Sequence, residues 1–333
     1  MNFKKVFLLF VLLVLAVVTI ACGSNDTASD NNDQPANNNS GSQPQQEAPK
    51  EVPKEELPSG FLDIRGSDTM VNLGQALAEV YMDNGNPNAN LAVTGGGSGT
   101  GIAAMINNNV DIAQSSRAMK QEELDEAAAN GAVAHEFIIG QDGLAVAIHN
   151  DNPVTELTLA QIKDIFTGKI TNWADLGWAE GGNITVYSRQ SNSGTYVYFN
   201  ENVMDGEDFG AGAMFMPGSS AIREAVSQEK NAIGYIGIGY IEGINAVNVA
   251  LDENSEYYTP FEESNVNEGL YPIARPLYFY VNGKPDGVKL DYLNWVLKSE
   301  DAKQVLRDTG FYQIGAKYQD QNKAVYKELG LDW

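Results

Sequence analysis

Cysteine and histidine are almost missing from this chain, with one of the former and two of the latter in 333 residues. A lone Cys22 excludes a disulfide framework within the chain and any cysteine-rich zinc site. With only His135 and His149, a histidine-built catalytic metal site is not expected, and no cofactor is expected either. Positive charge is scarce as well: 21 Lys and Arg face 44 Asp and Glu, for a formal net charge of −23. Losing Lys4 and Lys5 with a processed leader would leave about −25. Phosphate backbones are gripped by excess Lys and Arg, so nucleic acid is excluded as a partner class. What is present is 43% hydrophobic and 9% aromatic side chains, enough for a sizeable core in one or two domains.

The long apolar run is at the start. Lys4 and Lys5 precede Val6 to Ala21, which is almost uninterrupted Val, Leu, Ile, Phe and Ala. It is short for a membrane span of about twenty residues and has the layout of a secretory signal peptide, residues 1–21. Thr19-Ile20-Ala21-Cys22-Gly23 resembles the lipobox of bacterial lipoproteins, in which the cysteine is acylated and becomes the new N-terminus. The following Asn, Asp, Ser, Gln, Pro and Glu cannot offset chain entropy by burial. Residues 22–58 are therefore expected to be a lipidated cysteine and a disordered tether.

From Gly60 the pattern changes. Phe61–Arg65, Leu91–Thr94, Val110–Ala113, His135–Ile139, Gly143–Ile148, Ile184–Tyr187, Ile233–Ile236 and Pro276–Val281 read as strands. Thr69–Asp83 carries Met70, Leu73, Leu77, Val80 and Tyr81 at helical spacing. Gly101–Asn108, Gln121–Ala129, Leu159–Phe166, Tyr196–Val203, Ser220–Gln228 and Leu290–Leu306 complete the expected helices. Such alternation predicts an α/β protein with largely parallel sheets.

Three expected strand-to-helix turns share one chemistry. They are Gly66-Ser67-Asp68-Thr69-Met70, Thr94 to Gly101 with its run Gly95-Gly96-Gly97-Ser98-Gly99, and Arg189 to Thr195. Ser-Gly-Thr occurs in both the second and the third. Small residues let a ligand approach the backbone, and hydroxyls donate hydrogen bonds. A following helix offers N–H groups without internal partners and about half a positive charge, which favours an anion. Arg189 adds a two-pronged cationic fork suited to a tetrahedral oxyanion. One such turn alone is an ordinary capped helix start; three, one of them with an arginine, point to convergence.

Competing motifs fail. The glycine run lacks a P-loop ending, and Gly99-Thr100-Gly101-Ile102-Ala103-Ala104 fits the dinucleotide fingerprint only in relaxed form. Ser98 is not in Gly-x-Ser-x-Gly, and no histidine follows Ser98 or Ser193 at a suggestive distance. Both serines read as donors, not nucleophiles, and no enzyme is expected.

At these turns the chain resembles the phosphate-binding lipoproteins of bacterial and archaeal high-affinity phosphate ABC importers. The likeness spans roughly residues 60–330. It is carried further by Val110 to Arg117, by Ile165-Phe166-Thr167-Gly168-Lys169-Ile170-Thr171-Asn172-Trp173-Ala174-Asp175-Leu176-Gly177, and by Ala232-Ile233-Gly234-Tyr235-Ile236. The resemblance implies a two-lobed, periplasmic-binding-protein-like fold of type II with a hinge. Lobe 1 would hold 59–141 plus 274–333, and lobe 2 would hold 142–273. It implies phosphate contacts from Thr69, the Met70 backbone, Ser98, Arg189, Ser193, Gly194 and Thr195. Ser67 belongs to the first turn. Many members carry an Asp at Ser116, which accepts the proton of bound phosphate and repels sulfate. Asp68 is the candidate replacement, with a solvent-facing helix cap as its other reading; Arg117 is a candidate second cation or a surface residue. The implied partners are inorganic phosphate, the permease subunits of an ABC importer and, through the lipid anchor, the membrane. The protein is expected to be an extracytoplasmic, membrane-anchored monomer. The acid excess does not oppose this, since long-range repulsion is screened beyond about 8–10 Å while the cage acts at contact. A receptor for another oxyanion such as sulfate, a serine hydrolase and a cell-surface scaffold are the other readings.

Overall fold

The computed structural model describes residues 56–333. The expected signal peptide, Cys22 and most of the tether lie outside the described residues. The first stretch alternates β1 (Gly60–Gly66), α1 (Val71–Val80), β2 (Ala89–Thr94), α2 (Ser98–Ile106), β3 (Ile112–Ser115), α3 (Gln121–Ala129) and β4 (Ala134–Gly143). Then come β5 (Ala145–Ile148), β6 (Glu156–Thr158), α4 (Leu159–Phe166), β7 (Thr185–Arg189), α5 (Gly194–Asn202), β8 (Met214–Met216) and α6 (Ser219–Gln228). They are followed by β9 (Ala232–Ile236), β10 (Asn245–Ala246), β11 (Asn248–Ala250) and α7 (Glu263–Asn267). The last stretch is β12 (Ala274–Asn282), α8 (Gly287–Lys298), α9 (Glu300–Asp308) and α10 (Ala316–Glu328).

Two five-stranded sheets form the two lobes, in the orders β2-β1-β3-β12-β4 and β10-β5-β9-β7-β8. β11 and β6 pair separately. The fold is the expected two-lobed α/β arrangement. The sheets are largely parallel, with one exception in each. β12 runs against β3 and β4, and β5 runs against β9 and β10. These are the strands entered immediately after the chain changes sheet. β4 leaves the first sheet at Gly143 and β5 begins at Ala145; the return leads into β12 at Ala274. A strand that arrives from the other sheet enters from the end facing it, opposite to strands fed by their own crossover helices.

Composition explains which strands lie central. Ala145, Val146, Ala147 and Ile148 are all buried, as befits a strand covered on both faces. The core around the first sheet includes Leu62, Ile64, Leu73, Leu77, Phe279 and Leu293. A second core gathers Ile162, Phe166, Trp173, Phe199, Ile233 and Tyr235. Phe199 stacks on Tyr235 with centroids 3.9 Å apart. Trp173 is fully buried, and its Nε1 donates to the Asn231 carbonyl at 2.9 Å. Trp173→Ala is expected to destabilise the folded chain by about 3–5 kcal/mol, measured as a lower urea midpoint; a shift near zero would show that this core relaxes around the gap.

Several expected elements differ. The expected strand Gly143–Ile148 spans the end of β4 and all of β5, which lie in different sheets. Leu290–Leu306 is not one helix: Ser299 is extended (φ −76°, ψ 149°), ends α8, and caps α9 by accepting from Ala302 N at 3.0 Å. The cue is Ser299 before Glu300 and Asp301, a capping residue followed by acids in a first turn. The helix expected from Gly101 begins at Ser98, because Gly97 sits at φ +94° and turns the chain into α2 three residues earlier.

Candidate anion-binding site

The three serine- and threonine-bearing turns meet in space. Ser67 Oγ donates to Ser116 Oγ at 2.9 Å, and Ser98 Oγ lies 3.4 Å from Ser116 Oγ while accepting from Ser116 N at 3.1 Å. Thr69 Oγ1 is 2.7 Å from Thr195 Oγ1, although 126 positions separate them in the chain. Ser116 Oγ is 3.5 Å from the same Thr195 oxygen. Thr69, Ser98 and Ser116 belong with the first sheet, and Thr195 with the second, so this is a contact between lobes.

Backbone geometry makes the turns specific. Gly66 has φ +142°, and a Cβ there would stand 2.1 Å from the Gln114 carbonyl oxygen. Only glycine lets the first turn lie on β3, where Ser67 N donates to Gln114 O at 2.8 Å. In the third turn Ser193 Oγ caps α5, accepting from Thr195 N at 3.2 Å and Tyr196 N at 3.4 Å. Its hydroxyl proton remains available as a donor. Gly194 presses against the opposite lobe: a Cβ there would be 2.3 Å from Ser98 Oγ.

Arg189, at the end of β7 in the second sheet, is fully buried and reaches the first turn through Asp68. Its Nη1 donates to Ser219 Oγ, and its Nη2 to the Pro217 carbonyl and Asp68 Oδ2, each at 3.2 Å. Its Nε is buried with no partner among the described residues. Burial pulls the Arg189 pKa below its ordinary value, and the Asp68 carboxylate works against that fall. Asp68 is not a solvent-facing cap. Its Oδ1 accepts from Gly96 N at 2.8 Å and its Oδ2 meets Arg189 across the cleft. Tyr240, a phenol pushed up to about 12 chiefly by burial, donates to the Asp68 carbonyl at 2.9 Å.

Two expected site groups are placed otherwise. Arg117 is turned away from the cluster: its Nη1 and Nη2 hold both carboxylate oxygens of Glu123 at 2.7 and 2.6 Å. Glu123 lies in the first turn of α3, a local partner that the arginine reaches without crossing the sheet. The Met70 N–H donates to the Ser67 carbonyl at 3.1 Å and closes the first turn, while its side chain sits in the core. Neither histidine takes part. His135 is on β4, seven positions before Asp142, and the His149 ring nitrogen accepts from Asp151 N.

The structure also brings in residues that motif reading missed. Asp142 and Arg275 face each other across β4 and β12, both essentially without exposure. Arg275 Nη2 donates to Asp142 Oδ2 at 2.8 Å and to Thr195 Oγ1 at 3.0 Å. Asn192 reaches over the glycine run, its carbonyl accepting from Gly99 N at 3.0 Å and its side-chain amide donating to Gly96 O at 2.8 Å. The sequence signal for the ion pair was a charged residue at each inner strand end, in Gln141-Asp142-Gly143 and Ala274-Arg275-Pro276. Chemically, the assembly is a set of converging hydroxyl, amide and guanidinium donors in a water-poor cleft. Among the described residues no group of three or more His, Cys, Asp or Glu is placed to hold a metal ion. Nor is any described helix long and apolar enough to cross a membrane.

Comparison with known proteins gives a consistent picture. Residues 33–300 match the family model for the PBP superfamily domain. The phosphate-binding protein PstS of Pseudomonas aeruginosa is 35% identical over 291 residues, covering 82% of this chain and 88% of that protein. The phosphate-binding protein PstS of Bacillus subtilis is 29% identical, covering 94% and 95% respectively. Among solved structures, a Clostridium perfringens substrate-binding protein ascribed to phosphate ABC transport, with bound phosphate, superposes with a TM-score of 0.68 at 30% identity. It covers 77% of this chain and 100% of that one.

Proposed function

Since this chain belongs to the PBP superfamily and, within it, to the family of PstS phosphate-binding proteins, we propose that it is an extracytoplasmic receptor that captures inorganic phosphate between two lobes and delivers it to an ABC permease. The lobes are 59–141 with 274–333, and 142–273. The chain acts as a monomer, tethered to the membrane through acylated Cys22. The ion is held by the hydroxyls of Ser67, Thr69, Ser98, Ser116, Ser193 and Thr195, by the Gly194 amide and by Arg189; Arg117 serves only to anchor α3.

One observation carries this reading: hydroxyls drawn from three separate turns on two lobes meet, and a buried guanidinium whose Nε has no partner among the described residues pairs with Asp68 of the first of those turns. Such a site favours an ion that bridges both lobes, so the closed state is populated by ligand. Micromolar affinity needs about 8 kcal/mol, within reach of several charge-assisted bonds in a dry cleft. Isothermal titration of the detergent-purified full chain should give saturable one-site binding of phosphate; no binding at millimolar phosphate would refute the function.

A second reading, sulfate, is favoured by one feature. Ser116 offers a hydroxyl where an acid would repel a fully ionised ion, and both Asp68 oxygens already accept donors. Asp68 remains the carboxylate placed to take the phosphate proton, since each oxygen has a second lone pair. Asp68→Asn is expected to lower the phosphate-to-sulfate affinity ratio about tenfold or more. Competition titrations read this ratio; wild-type protein that binds sulfate as tightly as phosphate would show that Asp68 does not discriminate.

A further inference from the structure

The buried ion pair at the lobe crossing is more than a strand clamp. Asp142 and Arg275 are register partners on β4 and β12, at the ends of those strands where the chain passes between sheets. Arg275 is 1% exposed and Asp142 is fully buried. Each also contacts the second lobe: Asp142 Oδ1 accepts from Ile238 N at 2.8 Å, and Arg275 donates to Thr195. As a fastener alone, such a pair is a poor choice, because desolvating two charges commonly cancels their attraction and apolar side chains hold strands as well.

The guanidinium geometry shows what it supplies. A guanidinium presents one donor edge through Nε and Nη2, and another through Nη1 and Nη2. The first edge is fully engaged by Asp142 Oδ2, at 3.0 Å from Nε and 2.8 Å from Nη2. The remaining hydrogen of Nη2 meets Thr195 Oγ1 at 3.0 Å, which turns the second edge toward the hydroxyl cluster. Nη1, on that edge, is buried and has no partner among the described residues. The plane is held further by Tyr198, whose ring centroid lies 5.3 Å from the guanidinium carbon and whose hydroxyl donates to the Ala274 carbonyl at 2.8 Å.

We propose that Arg275 is a second anion-binding arginine, donating through its Nη1–Nη2 edge to the ion held at Thr195, with Asp142 as the positioning residue that aims it. Arg189 then reaches the ion from the second sheet and Arg275 from β12 of the first. Each is matched by one carboxylate, Asp68 and Asp142, so the site is electrically balanced without ligand and gains a bridging anion on closure. This inference rests on the phosphate reading of the same cluster.

The test has two arms on the full chain. In the first, a crystal structure of the wild type with phosphate should place Arg275 Nη1 or Nη2 at hydrogen-bonding distance, about 2.7–3.2 Å, from a phosphate oxygen. In the second, Arg275→Gln alone would leave Asp142 buried and unpaired, so the double variant Asp142→Asn/Arg275→Gln is titrated instead. Removing the pair together should keep the fold by circular dichroism and weaken phosphate binding about 10- to 100-fold. Phosphate bound with neither nitrogen of Arg275 in reach overturns the inference, whether or not the double variant folds. A folded double variant with wild-type affinity overturns it equally. Both outcomes leave the phosphate reading standing, which fails only if the wild type itself binds no phosphate.

Discussion

Arg189→Ala should abolish useful phosphate binding, lowering affinity by roughly two to four decades. Arg189 is a fully buried cation of the second lobe that meets Asp68 of the first turn across the cleft, and its Nε has no partner among the described residues. Taking one partner from a buried, paired charge costs about 3–5 kcal/mol, because the remaining ion must either lose its counter-charge or stay in water. Here the remaining ions are phosphate and Asp68, which Arg189 holds at 3.2 Å. Arg189→Lys should fall between, since it keeps the charge but loses the planar fork that also serves Ser219 and the Pro217 carbonyl. Titration reads both variants, and circular dichroism checks that the fold persists. An alanine variant with unchanged affinity would show that the ion binds elsewhere.

Gly194→Ala should be the second most damaging change, by another route. It removes no donor and no charge. A Cβ at this position would stand 2.3 Å from Ser98 Oγ and 2.7 Å from Ser98 Cβ, and 3.0 Å from Ser116 Oγ. All of these atoms belong to the opposite lobe, so the clash leaves each sheet's own packing alone and acts only against closure. Overpacking of this kind costs about 1–3 kcal/mol, hence roughly a 5- to 150-fold loss of affinity. The distinctive readout is shape. Small-angle scattering should show the wild type contracting on phosphate addition while the variant contracts only at much higher phosphate. Equal contraction at equal phosphate would mean that Ser98 yields and that the close approach at Gly194 is not what limits closure.

These expectations differ in how far they were legible beforehand. The strand–helix alternation was readable because apolar patterning follows local geometry, with helical spacing in Thr69–Asp83 and a continuous apolar run in Gly143–Ile148. Arg189 and its Ser-Gly-Thr turn stood out because a helix start advertises its small and capping residues over a few consecutive positions. Where neighbours in space are far apart in sequence, reading failed. Arg117 is a different case: Glu123 is only six positions on, and the direction of the side chain, not distance along the chain, gives it both ends of the fork. Arg275 looked like a strand-end residue, because nothing within β12 says that Asp142 lies opposite or that Thr195 lies beyond it. Asp68 admitted two readings from sequence, and nothing in its turn announces that its carboxylate meets Arg189 of the other lobe.

By itself, then, the order of residues determined the two-layer alternation, the three anion-favouring turns and the main cation, since each is encoded within one short window of chain. The closed cleft was decided elsewhere: by two strands changing sheet, by Asn192 lying along a glycine run, and by a buried Asp142–Arg275 pair. Those features depend on contacts between segments dozens to more than a hundred positions apart, and such contacts exist only once the two sheets have packed and placed their inner ends together.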